Sequence, residues 1–375
     1  MKIALLPEYF YPYIGGGENW FREIGSGLVK RGHEIAVFCF PMAGVARSER
    51  MDGMLVTRVG VFAIERWQPY LKRIVSHVLS FFSHPVYLRR WDAVIGQGSA
   101  LLAVFPVLWA RRTRIFCVVH DIYGLSESIQ DKGLMKGLLR YVFVEQLLHK
   151  LPFTGWIAVS ETTESKLEKF GVSKERIFVV RNGAKPPDQR TRTKGGRNSI
   201  VYIGRLVKHK HVEDLISALS RLDPNLEWKA RIAGDGEERS ELEALATKLG
   251  LQSKIEFLGW ISEEEKWDLL FSASCLILPS IAEGWGVVLT EAACAGVPAI
   301  AYDVPAVREQ AKYIPSVSVV PPREVGKMAE KILYIIRHPA EAERIGRAGQ
   351  RAAEKFTWQA AVEELESQLT TEIQS

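Results

Sequence analysis

Two carboxylates, Glu283 and Glu291, stand eight positions apart in SIAEGWGVVLTEAACAGVPAI (280–300), a run otherwise made of small and apolar residues. Acids at such spacing suggest two kinds of chemistry: acid/base work on one bond, or separate grips on hydroxyls. CLILPS before them reads as a buried strand and VVLTEAACAG as a helix, joined by the loop IAEGWG. Glu283 then lies in the loop and Glu291 about one turn into the helix, too far along to touch the same atom. A carboxylate accepts two hydrogen bonds well, so each acid suits a vicinal diol. Gly284 and Gly286 allow close approach of backbone to a ligand, and the following helix offers its first amides to an anion. The plain alternative makes Glu291 an exposed helix residue. Its neighbours Val288, Leu289, Ala292, Ala293, Cys294 and Ala295 are apolar, and a buried Glu among them needs a partner.

Cations gather elsewhere. The strand-like IVYIGRL runs into a loop with Arg205, Lys208, His209, Lys210 and His211 before the helical VEDLISALSRL. Arg, as a planar fork, and Lys, as a point charge, suit a diphosphate at a strand end; the same loop also reads as a solvated basic turn. Gly15, Gly16 and Gly17 follow the first strand and open a helix, where free amides favour a phosphate, or simply make a turn. A dinucleotide version would need GxGxxG and an acid after the next strand, and HEIAVFCFP ends without one. His120 and Asp121 close the apolar strand RIFCVVHD, where His could meet a sugar hydroxyl or cap the strand.

The elements that must position these groups alternate. KIALLP, HEIAVFCF, WDAVIGQG, RIFCVVHD and GWIAVS, with helical patterns between, imply a parallel sheet covered on both faces. The alternation restarts with IVYIGRL, WKARIAGDG, KIEFLGW, CLILPS, VPAIAY and SVSVV. At 375 residues two cores are expected, so the reading is α/β, two doubly wound domains: 1–185, a polar Pro/Gly linker 186–198, and 199–357. The segment 358–375 is a helix that packs on either domain. Ligands in such sheets bind at the carboxyl ends of strands, so a substrate is expected in the cleft between the two sheets.

Composition, 47% hydrophobic and 25% charged, is that of a globular protein, and no apolar run reaches the roughly 20 residues of a membrane span. Cys39, Cys117, Cys275 and Cys294 stand singly, which fits reduced core thiols and a cytoplasmic compartment rather than disulfides or zinc. Residues 1–190 carry 26 Lys/Arg against 17 Asp/Glu, and 191–375 carry 23 against 27. A basic first half suits phosphates or an anionic membrane; its basic residues are too dispersed for nucleic acid. The segment 64–91, with Arg66, Lys72, Arg73, Arg89 and Arg90 among Trp67, Phe81, Phe82 and Trp91, reads either as a membrane-surface stretch at the inner face or as a buried amphipathic helix pair.

GGGENW, VVHD, VSETT, VVRNG, YIGRLVKHK, RIAGDGEE, IEFLGW and PSIAEGWGVVLTEAACAGVPAIA stand in one order along nearly the whole chain. Together they resemble the retaining, nucleotide-sugar-dependent glycosyltransferases of family 4, which have the GT-B fold of two Rossmann-like domains facing across a cleft. Glu283 and Glu291 match that family's E-x7-E pair. The resemblance implies that Glu291 binds ribose and Glu283 the donor sugar. Gly284, Trp285, Gly286, Val287 and Val288 would supply the loop and amides near sugar and phosphate, Gly204, Arg205 and Lys210 the diphosphate site, and Gly16 with Gly17 the loop closing on it. His120 would contact the sugar beside the reaction centre, and LGWIS, with Gly259, Trp260 and Ile261, would hold the base. It further implies transfer of a hexose-type sugar from a UDP- or GDP-sugar to a glycan, lipid-linked or small-molecule hydroxyl, with no metal and no cofactor.

The chain departs from the family's pattern at Lys210-His211, where Lys-Gly is common, at NGAK (182–185), and at VPAVREQ, which leaves Glu309 as a further acid near base or ribose. Two other classes stay open at this point: a hydrolase or epimerase using the acids directly, and a non-catalytic nucleotide-sugar or glycan-binding protein.

Overall fold

The computed structural model describes residues 1–13, 15–60, 91–97, 112–122, 148–187 and 198–374. They form two compact units, one of residues 1–182 with 358–375 and the other of residues 183–357.

The N-terminal unit is built on β1 (Lys2–Leu6), α1 (Gly16–Lys30), β2 (Glu34–Cys39), β3 (Ser48–Met51), β4 (Met54–Arg58), β5 (Ala93–Gly96), β6 (Arg114–Val119), β7 (Gly155–Ala158), α2 (Glu161–Lys169) and β8 (Ile177–Val179). The sheet order is β3-β4-β2-β1-β5-β6-β7-β8. Its inner strands are apolar on both faces, as a covered parallel sheet requires: Ile3 to Leu6 and Val37 to Cys39 are all buried. One edge breaks the expected parallel order. β3 runs antiparallel to β4 because Asp52 and Gly53 both adopt positive φ, 50° and 82°, the two-residue turn that suits a hairpin. Trp20, Phe21, Ile24 and Leu28 form the buried stripe of α1.

The C-terminal unit contains β9 (Ser199–Ile203), α3 (Val212–Leu219), β10 (Lys229–Ala233), α4 (Arg239–Lys248), β11 (Ile255–Gly259), α5 (Glu263–Phe271), β12 (Cys275–Leu278), α6 (Val287–Cys294), β13 (Ala299–Tyr302), α7 (Pro305–Tyr313), β14 (Val317–Val320), α8 (Val325–Arg337) and α9 (Pro339–Ala353). Every strand pair is parallel, in the order β11-β10-β9-β12-β13-β14. That is the 3-2-1-4-5-6 order of dinucleotide-binding sheets, and it reverses direction between β9 and β12, where the sheet offers its ligand crevice. Helix starts are set locally: Ser262 and Glu265 cap α5 reciprocally, and Pro305 and Pro339 stand at the first positions of α7 and α9.

The last helix, α10 (Trp358–Gln374), belongs to the N-terminal unit. Trp358, Ala361, Val362, Leu365 and Leu369 share a core with α1 residues Trp20, Phe21, Ile24 and Leu28. Arg31 and His33 both bond Glu366, at 2.5 and 2.6 Å, and Arg114 Nε donates to the Glu372 carbonyl at 2.7 Å.

All four cysteines are free, and Cys39, Cys117 and Cys275 are buried. No helix among the described residues is long and apolar enough to cross a membrane. Of the basic-aromatic segment 64–91, all but Trp91 lies outside the described residues. Trp91 itself is buried against Phe38, at 5.8 Å between ring centres, so it is core rather than membrane surface.

Candidate active site

The reversal of strand order brings the loop after β9 beside the loop after β12. The Ile281 amide donates to the His209 carbonyl at 3.0 Å, tying the two backbones together. Lys210 Nζ then reaches Glu283 Oε1 at 2.6 Å, with the two side chains only 14% and 11% exposed. Burial opposes a charge on Glu283, but the Lys210 ammonium overcomes it and holds the carboxyl below its usual range. Glu283 is therefore ionised at neutral pH. Arg205 is exposed at the same strand end and makes no ion pair among the described residues. Its carbonyl accepts a hydrogen bond from the buried Tyr202 hydroxyl at 2.8 Å, which fixes the turn.

Neighbouring loops pack on this turn through backbone alone. The Gly204 amide donates to Ala233 O and the Leu206 amide to Asp235 O, both at 3.0 Å. Gly234, at φ 136°, comes so near that a β-carbon there would run into the Gly204 carbonyl oxygen. Its amide also donates to Gly259 O at 2.7 Å, which brings in the end of β11. Beyond Gly259, Trp260 is 45% exposed, while Ile261 packs against the core.

In the 280–286 loop, Gly286 takes the left-handed conformation, φ 79°, that starts α6. Val287 opens that helix and Val288 lies partly buried against the core. Gly284 is half-buried in the loop. Trp285 is a structural anchor: its side chain is buried, its Nε1 donates to Thr290 Oγ1 at 3.2 Å, and Gln310 Nε2 donates to the same hydroxyl at 2.6 Å. Only its backbone is left for a ligand.

Glu291, in α6, is 7% exposed, which removes the exposed-helix alternative. Its partner is Lys266 of α5, with Nζ 2.6 Å from Glu291 Oε1 and 2.8 Å from Glu263 Oε2. Burial works against the charge on Lys266, and Glu291 and Glu263 outweigh it, raising the ammonium above its usual range. Glu309 is buried in α7. His211, Glu213 and Asp214 bring three potential metal-donor atoms within 4.8 Å of one another. These atoms are already engaged: His211 Nδ1 lies between the two carboxylates at 3.0 and 3.5 Å, and Asp214 also accepts from the Tyr302 hydroxyl.

In the N-terminal unit, Gly16 and Gly17 open α1, with Glu18 in its first turn. His120 follows β6, and a β-carbon on Gly17 would lie 3.3 Å from the His120 ring and 3.4 Å from Gln97 Oε1. Trp20 meets the imidazole edge-on at 5.8 Å. Burial lowers the His120 pKa to about 4, so the ring is neutral. Its Nε2 and Gln97 Oε1 are buried polar atoms without a partner among the described residues. Asp121 is occupied otherwise, in an ion pair with Lys166 of α2 at 2.9 Å.

Comparison with known proteins places the whole arrangement. A family described as glycosyl transferases group 1 matches residues 186–352, and a glycosyl transferase 4-like domain matches residues 15–183. Glycogen synthase of Mycobacterium tuberculosis is 33% identical over 382 residues, covering 96% of this chain and 92% of that protein. The chain belongs to the group 1 glycosyltransferases. Sucrose-phosphate synthase from Thermosynechococcus elongatus superposes with a TM-score of 0.87 over 99% of this chain and 98% of its own, at 19% identity. Anabaena Alr3699/HepE, in complex with UDP and glucose, gives 0.74 at 19% identity over 99% and 100%. At that identity these structures show the fold, GT-B, with its two Rossmann-like α/β domains.

Within this glycosyltransferase, Gly204, Arg205, Lys210, Glu283, Gly284 and Gly286 gather at the carboxyl ends of β9 and β12, and His120 and Gly17 adjoin each other in the N-terminal unit. Sequence reading did not reach Lys266, Gln97 or Tyr302. For Lys266 a sign existed, because a Glu set among apolar neighbours demands a cation; which one could not be read, as EEEKWDLLF looks like a solvated helix face.

Proposed function

We infer that this glycosyltransferase moves a hexose from a nucleoside diphosphate sugar to an acceptor hydroxyl, with retention of configuration and without a bound metal. The observation that carries the reading is the pairing of Lys210 with Glu283 at the β9/β12 reversal, with Glu291 held by Lys266 in the helix that follows the Glu283 loop. Two acids at separate depths suit two diols, on the sugar and on ribose. The cations Arg205 and Lys210, with the first amides of α6, suit the diphosphate between them.

Electrostatics argue against a hydrolase. A glycosidase needs one carboxyl kept protonated to donate to the leaving oxygen. Here Lys210 keeps Glu283 ionised, fit to accept sugar hydroxyls and unfit to donate. As the bond to the diphosphate breaks, negative charge grows on the leaving oxygens, and Arg205, Lys210 and the helix amides stabilise it in place. The acceptor hydroxyl enters from the same face and passes its proton to a phosphate oxygen. His120, neutral and with Nε2 lacking a partner among the described residues, is suited to hydrogen-bond the sugar.

The neighbour described with UDP and glucose makes a UDP-sugar the first donor to try. The proposed acceptor is a glycan or lipid-linked hydroxyl at the inner face of the membrane. The deciding experiment is a thermal-shift panel of UDP- and GDP-sugars, with Glu291→Ala as control, followed by assignment of the product's anomeric configuration. A stabilising donor that loses its effect in the variant, and a product with the donor's configuration, are expected. No stabilisation of the wild type, or an equal response from E291A, would reject the site; donor bound but never consumed would favour a binding protein, and donor consumed without an acceptor product would mean its hydrolysis.

A further inference from the structure

His211 occupies a backbone conformation that glycine adopts freely and most other residues resist. With φ 47° and ψ 44° it is left-handed, at the junction where the short turn Lys208–Lys210 ends and α3 begins. A glycine would make this turn without help, so the reason for a side chain must lie in what the side chain holds. Its Nδ1 stands 3.0 Å from Glu213 Oε1 and 3.5 Å from Asp214 Oδ2, both in the first turn of α3. Asp214 Oδ2 also accepts from the Tyr302 hydroxyl at 2.7 Å. The ring thus ties the turn forward to α3 and across to the end of β13.

Behind it, the same turn carries the donor-site contacts. The Lys210 amide bonds Val207 O at 2.9 Å and the His211 amide bonds Lys208 O at 3.1 Å, closing the turn. Lys210 then reaches Glu283, and His209 O holds the Ile281 amide. A change in φ and ψ at His211 would swing Lys210, one residue away, off its line to Glu283.

We propose that His211 is a positioning residue of the donor site, its imidazole clasped by Glu213 and Asp214 so that the turn before it keeps Lys210 aimed at Glu283 and the donor diphosphate. The role of Lys210 in this rests on the donor reading above.

The charges around the ring set when the clasp holds. Glu213 and Asp214 face it from α3 and Tyr302 from β13, while Arg323 after β14 acts on Asp214 and Glu238 before α4 acts on Glu213. Hydrogen bonds that the protonated ring donates to Asp214 and Glu213 outweigh burial and raise the imidazole pKa to about 9. A raised pKa means the clasp is complete below the ordinary value of about 6.5 and is released as pH rises through the raised one.

Calorimetric titration with UDP and with GDP, from about pH 7 to about pH 10, tests this on the full chain, wild type against H211G and H211N. H211G should keep its melting temperature within a few degrees, since glycine accepts the left-handed turn, yet bind the nucleotide about tenfold more weakly at neutral pH, the worth of one charge-assisted hydrogen bond. Wild-type affinity should fall toward the H211G level as the imidazole deprotonates, H211G should stay flat over that window, and H211N should lie between. Equal affinity in H211G, or a loss with the wild-type pH profile intact, would overturn the clasp alone. If the wild type binds neither UDP nor GDP, the donor reading fails and the clasp fails with it.

Discussion

The side chains of Lys266 and Glu291 are 12% and 9% exposed, and neither charge is stable there without the other. Lys266→Met should cost about 3 kcal/mol by leaving Glu291 buried and uncompensated, and K266M/E291L should recover most of it. Urea unfolding of the two singles and the double measures that coupling. Lys210 and Glu283 make a second such pair, with a pH consequence. Glu283 is depressed in the fold, so its contribution to stability is present above the unfolded value of about 4.3 and is lost as pH falls through the folded one. Acid titration should therefore show K210M unfolding at a higher pH than the wild type. His120 adds to the same limb: an imidazole kept neutral to about 4 folds against protonation, so stability should decline below the ordinary value of about 6.5, and H120N should remove that slope. At this scale the two acids, the cations and the strand-end His were legible from residue type and motif. Lys266 was not, because its role depends on how α5 packs beside α6, and Asp121 gave no hint that Lys166 engages it.

At the level of elements, the site is made by strand order. The β9/β12 reversal puts two loops together that are about seventy residues apart in sequence, and backbone contacts among glycines fill the space that side chains would need. Gly234→Ala should accordingly push the 204–206 turn out of place and lower stability by about 3 kcal/mol, with donor affinity falling alongside, measured by denaturation and nucleotide titration. Most strands announced themselves as continuous apolar runs, as doubly covered parallel sheets do. β3 and β4 escaped, since SERM is polar and exposed in alternation and lies at a sheet edge, although the Asp52-Gly53 pair between them is a hairpin signal. β8 escaped because three residues carry too little pattern to register.

For the whole molecule, the repeat of β/α alternation was enough to reveal two α/β domains, and no helix among the described residues is long and apolar enough to cross a membrane. Where the last helix settles was not legible, because an amphipathic stripe fits either core; the stripe of α10 closes over α1. Removing residues 358–374 should uncover Trp20, Phe21 and Leu28 and unfold the N-terminal unit while residues 183–357 stay protected, which hydrogen exchange resolved by peptide would show. Leu365→Ala is the milder version, costing about 2–5 kcal/mol. Because α10 follows residues 183–357 in the chain yet packs with the unit before them, the order of the chain and the order of folding differ. On the ribosome, residues 183–357 can complete their core from contiguous chain, while the unit that is synthesised first waits, with the α1 face of its sheet unsealed, for α10 to emerge. The N-terminal half is therefore the later of the two to close its core, and loss of α10 is a fault it would suffer rather than its neighbour.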